Sequence, residues 1–202
     1  MKVSVDRAQA KRARVIAAAS LVFRRFGYAG SSMNAIAKAA DISRPGLYLL
    51  FPSKEHVFEA AVRYMGDRAL GALRDGVPSH ATPTQKLVHI CCQWAVGGYE
   101  RAKEFPDAKD LTDPSQPAVQ AVYRRFEALL LDVMREAQCA EGSIPLPDIA
   151  RLLALSLRGL KEGAGDSREL RHMIALQVTA LLTTAHGTKL DGLRRRGARK
   201  SR

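Results

Sequence analysis

The sequence predicts an all-α protein: an N-terminal three-helix unit containing a helix-turn-helix, followed by a C-terminal helical body, with about nine helices in all. Apolar residues recur at spacings of three and four through most of the 202 residues. Segments that contain glycine and proline interrupt this pattern at intervals typical of helix lengths. Between residues 32 and 51, two short helical patterns are joined by a tight turn. Together these three observations indicate a helical protein and disfavour β-strands.

The first helix ends at Gly27, because a glycine directly after the last apolar position is a typical helix C-cap. Its inward positions follow the helical spacing and are Ile16, Ala19, Phe23 and Phe26. Basic residues near its start are placed to lie along an anionic backbone, and they are Arg7, Lys11, Arg12 and Arg14.

The segment from residue 32 to residue 51 predicts a helix-turn-helix. Ser31 or Ser32 can cap the first short helix, and Ser43 can cap the second. Asp41 stands in the turn, where the backbone is expected to be left-handed, a conformation that aspartate tolerates. Pro45 falls in the first turn of the second helix, where its missing N–H costs nothing.

The second short helix carries side chains suited to reading DNA. Arg44 lies at the helix start, the part of a recognition helix that meets base edges, and arginine commonly pairs with guanine. Gly46 allows a close approach of the backbone, and Tyr48 can give its hydroxyl to a phosphate. Lys54, at the start of the next helix, is a second candidate phosphate contact. Taken singly, each of these residues is also common as helix punctuation or as a solvated charge.

Residues 9–69 resemble the DNA-binding domain of the TetR family of bacterial transcriptional regulators. The resemblance rests on the order and spacing of Phe26-Gly27-Tyr28, Ile36-Ala37, Ile42-Ser43, Leu47-Tyr48, Phe51 and Ser53-Lys54-Glu55. It implies that seven residues lie at or near the DNA: Ser32, Ser43, Arg44, Pro45, Gly46, Tyr48 and Lys54.

The chain departs from the family pattern at two places. Asp41 stands where the family usually has glycine, which is a mild change in conformational terms. Leu49 and Leu50 stand where the family often has an aromatic residue or a histidine before Phe51. The leucines remove polar or aromatic groups that could touch DNA, so affinity is expected to depend more on Tyr48 and Lys54 and on the basic N-terminus.

The net charge of +12 is concentrated at the two ends of the chain. Lysine and arginine outnumber aspartate and glutamate by ten to four in residues 1–60 and by seven to one in residues 187–202, whereas residues 61–186 hold fifteen of each. Such an uneven distribution indicates an electrostatic footprint at the ends. For the tail 187–202 the simplest interpretation is a disordered extension, and the alternative is additional phosphate contact.

Residues 76–186 predict a helical ligand-binding and dimerisation domain. Its last two helices, about 147–161 and 167–186, have broad apolar faces, and in the TetR family the last two helices form a four-helix dimer interface. The candidate interface residues are Leu153, Leu157, Leu160, Leu170, Ile174, Val178 and Leu181. A dimer selects an inverted-repeat operator with half-sites about one DNA turn apart, or a multiple of that.

The resemblance further implies an unknown small-molecule effector held among the body helices, where binding would shift the balance between two conformations. The few body aromatics favour a mainly apolar ligand. The candidate pocket residues are His89, Trp94, Tyr99, Phe105, Tyr123 and Met134.

Other classes of function find less support in the sequence. The five histidines and three cysteines form no metal-spaced or triad-like cluster, so no enzyme, metal site or cofactor is expected. A redox switch through Cys91, Cys92 or Cys139 stays open. The N-terminus lacks an apolar signal core and no long apolar run occurs, which favours a cytoplasmic protein. The main alternative is a helical interaction protein whose basic ends bind nucleic acid or anionic membrane without sequence choice.

Overall fold

The computed structural model describes residues 2–139 and 144–187, together with the side chains of residues 7–139 and 144–183. The described part is all-helical, as predicted. It contains a 3₁₀ helix, Pro106–Leu111, and eight α-helices: α1 (Lys2–Phe26), α2 (Met33–Ala39), α3 (Arg44–Tyr48), α4 (Lys54–Asp75), α5 (Pro83–Glu104), α6 (Pro117–Glu136), α7 (Leu146–Gly163) and α8 (Ser167–Gly187). Within these described ranges no helix is long and apolar enough to cross a membrane.

The chain divides into two compact units. The first unit is Met1–Asp75 with Gly97–Phe126, and the second is Gly76–Val96 with Glu127–Arg202. This division differs from the continuous body predicted for residues 76–186, because residues 97–126 group with the helix-turn-helix. The predicted tail 187–202 lies outside the described residues, apart from the backbone of Gly187.

The core of the first unit forms around Phe23, Phe51 and Phe58. Phe23 and Phe51 are fully buried, and the rings of Phe23 and Phe58 meet edge to face with centroids 5.2 Å apart. Leu47 from α3 and Ile36 from α2 are also fully buried. Leu47 therefore anchors α3 on apolar side chains from α1, α2 and α4, and the other side of α3 is exposed. Phe26, predicted to point inward, is instead 46% exposed.

Two glycines permit close backbone approaches inside the first unit. Gly27 has φ +64° and is buried, and a Cβ there would lie 2.1 Å from the carbonyl oxygen of Asp107. Gly66 in α4 is buried, and a Cβ there would lie 2.6 Å from Cγ2 of Val122 in α6. The end of α1 thus packs on the 3₁₀ helix, and α4 packs on the first half of α6.

The second unit has its own apolar core. Leu87 and Ile90 of α5, Met134 of α6 and Ile149 of α7 are all fully buried. The predicted stripes of α7 and α8 also contribute fully buried side chains, such as Leu157 and Ile174. Cys91 lies in the same core.

Candidate nucleic-acid interface

The helix-turn-helix is held by local caps and one left-handed residue. Ser32 is the N-cap of α2, and its side chain accepts a hydrogen bond from the backbone N of Ala35 at 3.1 Å. Asp41 has φ +52°, the left-handed conformation expected for the turn. The backbone N of Ile42 then donates to the carbonyl of Ala37 at 3.1 Å, which closes the turn. The geometry of this motif therefore follows from its local sequence.

The recognition helix α3 is short and has two different sides. Ser43 is its N-cap and accepts from the backbone N of Gly46 at 3.1 Å, and Pro45 falls in its first turn. Leu47 is fully buried, whereas Arg44, Pro45 and Tyr48 are exposed. Caps and core fix the helix, so its exposed side can meet a partner without rearrangement.

Arg44 and Tyr48 are neighbours on the exposed side. The guanidinium carbon of Arg44 lies 5.7 Å from the centroid of the Tyr48 ring, one helical turn later. Such a stack limits the rotamers of both side chains, and both residues are exposed. This arrangement can present a guanidinium fork to a base edge and a hydroxyl to a phosphate.

The N-terminal turns of α1 lie beside α3. The Arg12 guanidinium donates to the carbonyl of Leu50 at 2.6 Å and stacks 4.0 Å from the centroid of the Phe51 ring. At the other end of α3, a Cβ on Gly46 would be 3.9 Å from Nζ of Lys11. Arg12 therefore holds the end of the recognition helix, and Lys11 adds a positive charge beside its start.

In the sequence these two residues group with Arg7 and Arg14 as a basic face predicted to lie along phosphates. For Arg12 the structure shows a different use of the charge, because its guanidinium contacts a carbonyl and an aromatic ring of the chain itself. Local spacing in the sequence cannot reveal this contact, because Arg12 lies 38 residues before Leu50 and 39 before Phe51.

Lys54 is partly committed to contacts inside the protein. Its Nζ donates to the carbonyls of Tyr28 at 2.8 Å and Ser31 at 3.0 Å, and it lies 4.1 Å from the centroid of the Tyr28 ring. The ammonium thus ties the start of α4 to the segment between α1 and α2. Carbonyls use two of the three N–H groups of Lys54, so one N–H remains for the phosphate contact, which stays a prediction.

Tyr28 links the same segment to α4 a second time. Its hydroxyl donates to the Glu55 carboxylate, and its backbone N donates to Asp110 Oδ2. Hydrogen bonds from the side chains of Ser53 and Tyr28 lower the pKa of Glu55 to about 2. Partial burial and the Glu55 carboxylate raise the pKa of Tyr28 to about 12. The ionised carboxylate and the neutral phenol are therefore the favoured pair at neutral pH.

The six candidate ligand residues are divided between the two units. His89, Trp94 and Met134 belong to the second unit, and Met134 is fully buried among its core side chains. Tyr99, Phe105 and Tyr123 belong to the first unit. Phe105 already has a cation over its ring there, because the guanidinium carbon of Arg24 lies 5.8 Å from its centroid.

The candidate dimer residues lie mostly inside the second unit. Five of the seven are fully buried within the chain, namely Leu153, Leu157, Leu170, Ile174 and Val178, while Leu160 and Leu181 are half-buried. A fully buried side chain has no surface left for a partner, so these five are core residues. The large apolar side chains that face outward on α7 and α8 are Leu152, Leu155, Met173 and Leu176.

The three thiols differ in burial, since Cys91 and Cys92 lie inside the chain and Cys139 is partly exposed. Cys91 and Cys92 are buried, and burial raises the pKa of each thiol. Burial also raises the pKa of Cys139. Because the thiolate is the reactive form, the structure disfavours a switch through these residues.

Comparison with known proteins identifies relatives of the chain. Residues 15–61 match the family model of bacterial regulatory proteins, tetR family. The HTH-type transcriptional regulator EthR of Mycolicibacterium smegmatis is 26% identical over 156 residues, which cover 72% of this chain and 70% of that protein.

Solved structures share the fold over most of the chain. A transcriptional regulator from Rhodococcus sp. Rha1 gives a TM-score of 0.66 at 21% identity, covering 88% of this chain and 98% of that one. A tetR-family regulator from Streptomyces coelicolor gives 0.66 at 18% identity, covering 88% and 82%. The regulator CifR, solved as a cysteine mutant with a 26 bp double-strand operator DNA, gives 0.54 at 21% identity, covering 82% and 96%.

Proposed function

Since this chain belongs to the TetR family of bacterial transcriptional regulators, we propose that it is a ligand-responsive repressor that binds an inverted-repeat operator as a homodimer. Its partners are double-stranded DNA, a second copy of itself and a small-molecule effector. We place its work in the cytoplasm and assign it no catalytic role, in keeping with relatives that are transcriptional regulators.

The exposed side of α3 is the observation that supports this proposal most directly. Arg44 stands at the helix start, Tyr48 stacks against it one turn later, and the fully buried Leu47 anchors the opposite side. A short helix fixed from behind with a guanidinium and a phenol in front fits the major groove, where arginine reads guanine. We assign Arg44 to base contact and Tyr48 to the phosphate backbone.

We infer that the outward side chains of α7 and α8 form the dimer interface. Leu152 and Leu155 follow helical spacing along α7, and Met173 and Leu176 do so along α8. Four large exposed apolar side chains on two helices that contact each other are the kind of surface that marks a protein contact site. A two-fold contact there would present two recognition helices about 34 Å apart, or a multiple of that.

Effector binding is proposed for the body helices, with the first unit as the responding part. In that unit α4 packs tightly on α6 at Gly66 and Val122, and the Arg125 guanidinium pairs with Asp67. A ligand that favours one placement of α6 would therefore also favour one placement of α4, which begins at the helix-turn-helix. The effect on DNA affinity equals the difference in ligand affinity between the two states.

Selection of bound sequences from random duplex DNA with the purified protein tests the proposal. We expect an inverted repeat whose half-site spacing reports the distance between recognition helices. Recovery of single half-sites would contradict the dimer, and recovery of no preferred sequence would contradict sequence-specific regulation.

The second candidate function is nonspecific binding through the basic residues, and the net charge of +12 supports it. Competition distinguishes the two functions. A regulator should prefer its operator to random duplex by about 10³-fold or more at physiological salt, whereas a nonspecific binder should show equal affinities with the same salt dependence. Vesicles of anionic lipid in the same assay test the membrane variant of this function.

A further inference from the structure

Leu49 is the most exposed of the large apolar side chains in the described part of the chain, with 88% of its surface accessible. It follows α3 directly and is the C-cap of that helix. Leucine usually lies inside a protein, and an isolated exposed leucine needs no explanation by itself. The position of this one, at the end of the recognition helix, gives it a specific significance.

Backbone geometry places Leu49 on the same side as the DNA-reading residues. It keeps a helical conformation, with φ −66° and ψ −26°, and its N donates to the carbonyl of Pro45 at 3.1 Å. Residues four apart on a helix share a face, so Leu49 continues the line from Pro45. Arg44, Pro45, Tyr48 and Leu49 are all exposed, and Leu47 faces the core.

The surroundings of Leu49 indicate what kind of surface it meets. Its exposed neighbours carry a guanidinium, a phenol and the small ring of Pro45, so Leu49 is the one large aliphatic side chain on a mixed face. A protein partner would need a contiguous apolar patch, and this face does not offer one. The major groove is a polar surface in which the C5-methyl of thymine is the apolar group on a base edge.

Resting on the proposed function, we propose that Leu49 is a specificity-determining residue that packs on the C5-methyl of a thymine in each half-site. Leucine cannot accept or donate a hydrogen bond, so its discrimination depends on the methyl alone. It favours thymine over uracil at that position, and it accepts 5-methylcytosine better than cytosine.

The test measures affinity for operators in which each thymine is replaced, one at a time, by deoxyuridine, a change that removes only the methyl. The full chain and its Leu49→Ala variant are compared by fluorescence anisotropy on the selected operator. We expect one position per half-site at which deoxyuridine weakens binding of the unmodified protein about three- to fivefold, the effect of one buried methyl group. At that position Leu49→Ala should show almost no further loss.

Leu21→Ala is the matched control, because it also truncates an exposed leucine but lies on α1. It should keep the full deoxyuridine effect. The proposal is overturned if the unmodified protein and Leu49→Ala are equally sensitive to deoxyuridine, or if no thymine in the half-sites is sensitive. Either result leaves the proposed function as a DNA-binding regulator unaffected. If no preferred operator sequence is selected, both the role of Leu49 and the proposed function are overturned.

Discussion

Lys54 shows how a single side chain can serve the fold and the binding surface together. Its two carbonyl contacts, at 2.8 and 3.0 Å, connect the start of α4 to the segment that precedes α2. We predict that Lys54→Ala lowers the free energy of unfolding by about 1–2 kcal/mol, since hydrogen bonds of a charged group are lost. Urea denaturation checks this, with the exposed Lys38→Ala as control. If Lys54→Ala leaves the stability unchanged but weakens DNA binding, the result contradicts the structural role and supports a phosphate contact.

Arg44 and Tyr48 are expected to fail in different ways. Arg44→Ala should relax selectivity at one base per half-site, at a cost of about 1–3 kcal/mol against the preferred base. Tyr48→Phe removes a hydroxyl assigned to phosphate and should weaken all sequences alike. Binding measured on a panel of single-base operator variants separates these patterns. A uniform loss from Arg44→Ala would refute its assignment as a base reader.

The Tyr28 and Glu55 pair gives the stability a dependence on pH at both extremes. Glu55 has its pKa lowered from 4.5 to about 2, so its ionised form stabilises the fold above pH 4.5 and this contribution is lost as the pH falls toward 2. Tyr28 has its pKa raised from 10.0 to about 12, so its contribution is present below pH 10 and is lost between pH 10 and 12.

We therefore predict that Glu55→Gln makes the midpoint of thermal unfolding less sensitive to pH between 5 and 2. Circular dichroism melts at several pH values test this. Glu59→Gln, an exposed change on the same helix, is the control. Parallel curves for the unmodified protein and Glu55→Gln would contradict the stabilising role of this carboxylate.

Helix α4 offers a test of packing on a single element. Gly66 faces Val122 so closely that a Cβ would be 2.6 Å from Cγ2, whereas a Cβ at Gly71 meets nothing within 4 Å. We predict that Gly66→Ala destabilises the protein by about 1–3 kcal/mol through overpacking. Gly71→Ala should stabilise it by about 0.5–1 kcal/mol, since alanine favours helix. If Gly66→Ala and Gly71→Ala change the free energy of unfolding equally in denaturant titrations, α6 can shift to accept the added methyl group and the prediction is wrong.

The helix-turn-helix could be predicted because its determinants are local. Ser32 and Ser43 cap their helices as expected, Asp41 is left-handed, and Leu47 is buried. Each of these features depends on residues within a few positions along the chain. The contacts of Lys54 could not be predicted in the same way, because its flexible stem reaches carbonyls 23 and 26 residues away.

The faces of α7 and α8 were harder to predict, since both helices are apolar on more than one side. Leu153 and Leu157 fill the core, while Leu152 and Leu155 face outward on the same helix. Periodicity identifies an apolar helix, but it does not distinguish the apolar side that packs in the core from the apolar side that faces outward. That choice depends on how the helices of the second unit pack, which becomes visible only in three dimensions.

For the whole molecule, we predict that the assembly depends on this outward stripe. Leu155→Glu combined with Leu176→Glu should convert a dimer into a folded monomer, because both side chains are more than half exposed within the chain. Sedimentation velocity at micromolar concentration measures the change, and operator affinity should fall with it. Leu21→Glu, 58% exposed on α1, is the matched control. If the doubly substituted protein is still a dimer, the interface lies on another surface and the prediction is wrong.

Arg12 sets a practical limit on where the chain can be shortened. The match to the family model begins at residue 15, so a fragment designed from that match would start there. Such a fragment would lose the guanidinium that holds the Leu50 carbonyl and covers the Phe51 ring. A shortened or tagged version of the protein should therefore keep the turns of α1 before residue 15. Without them, the recognition helix α3 loses the contacts of Arg12 at its C-terminal end.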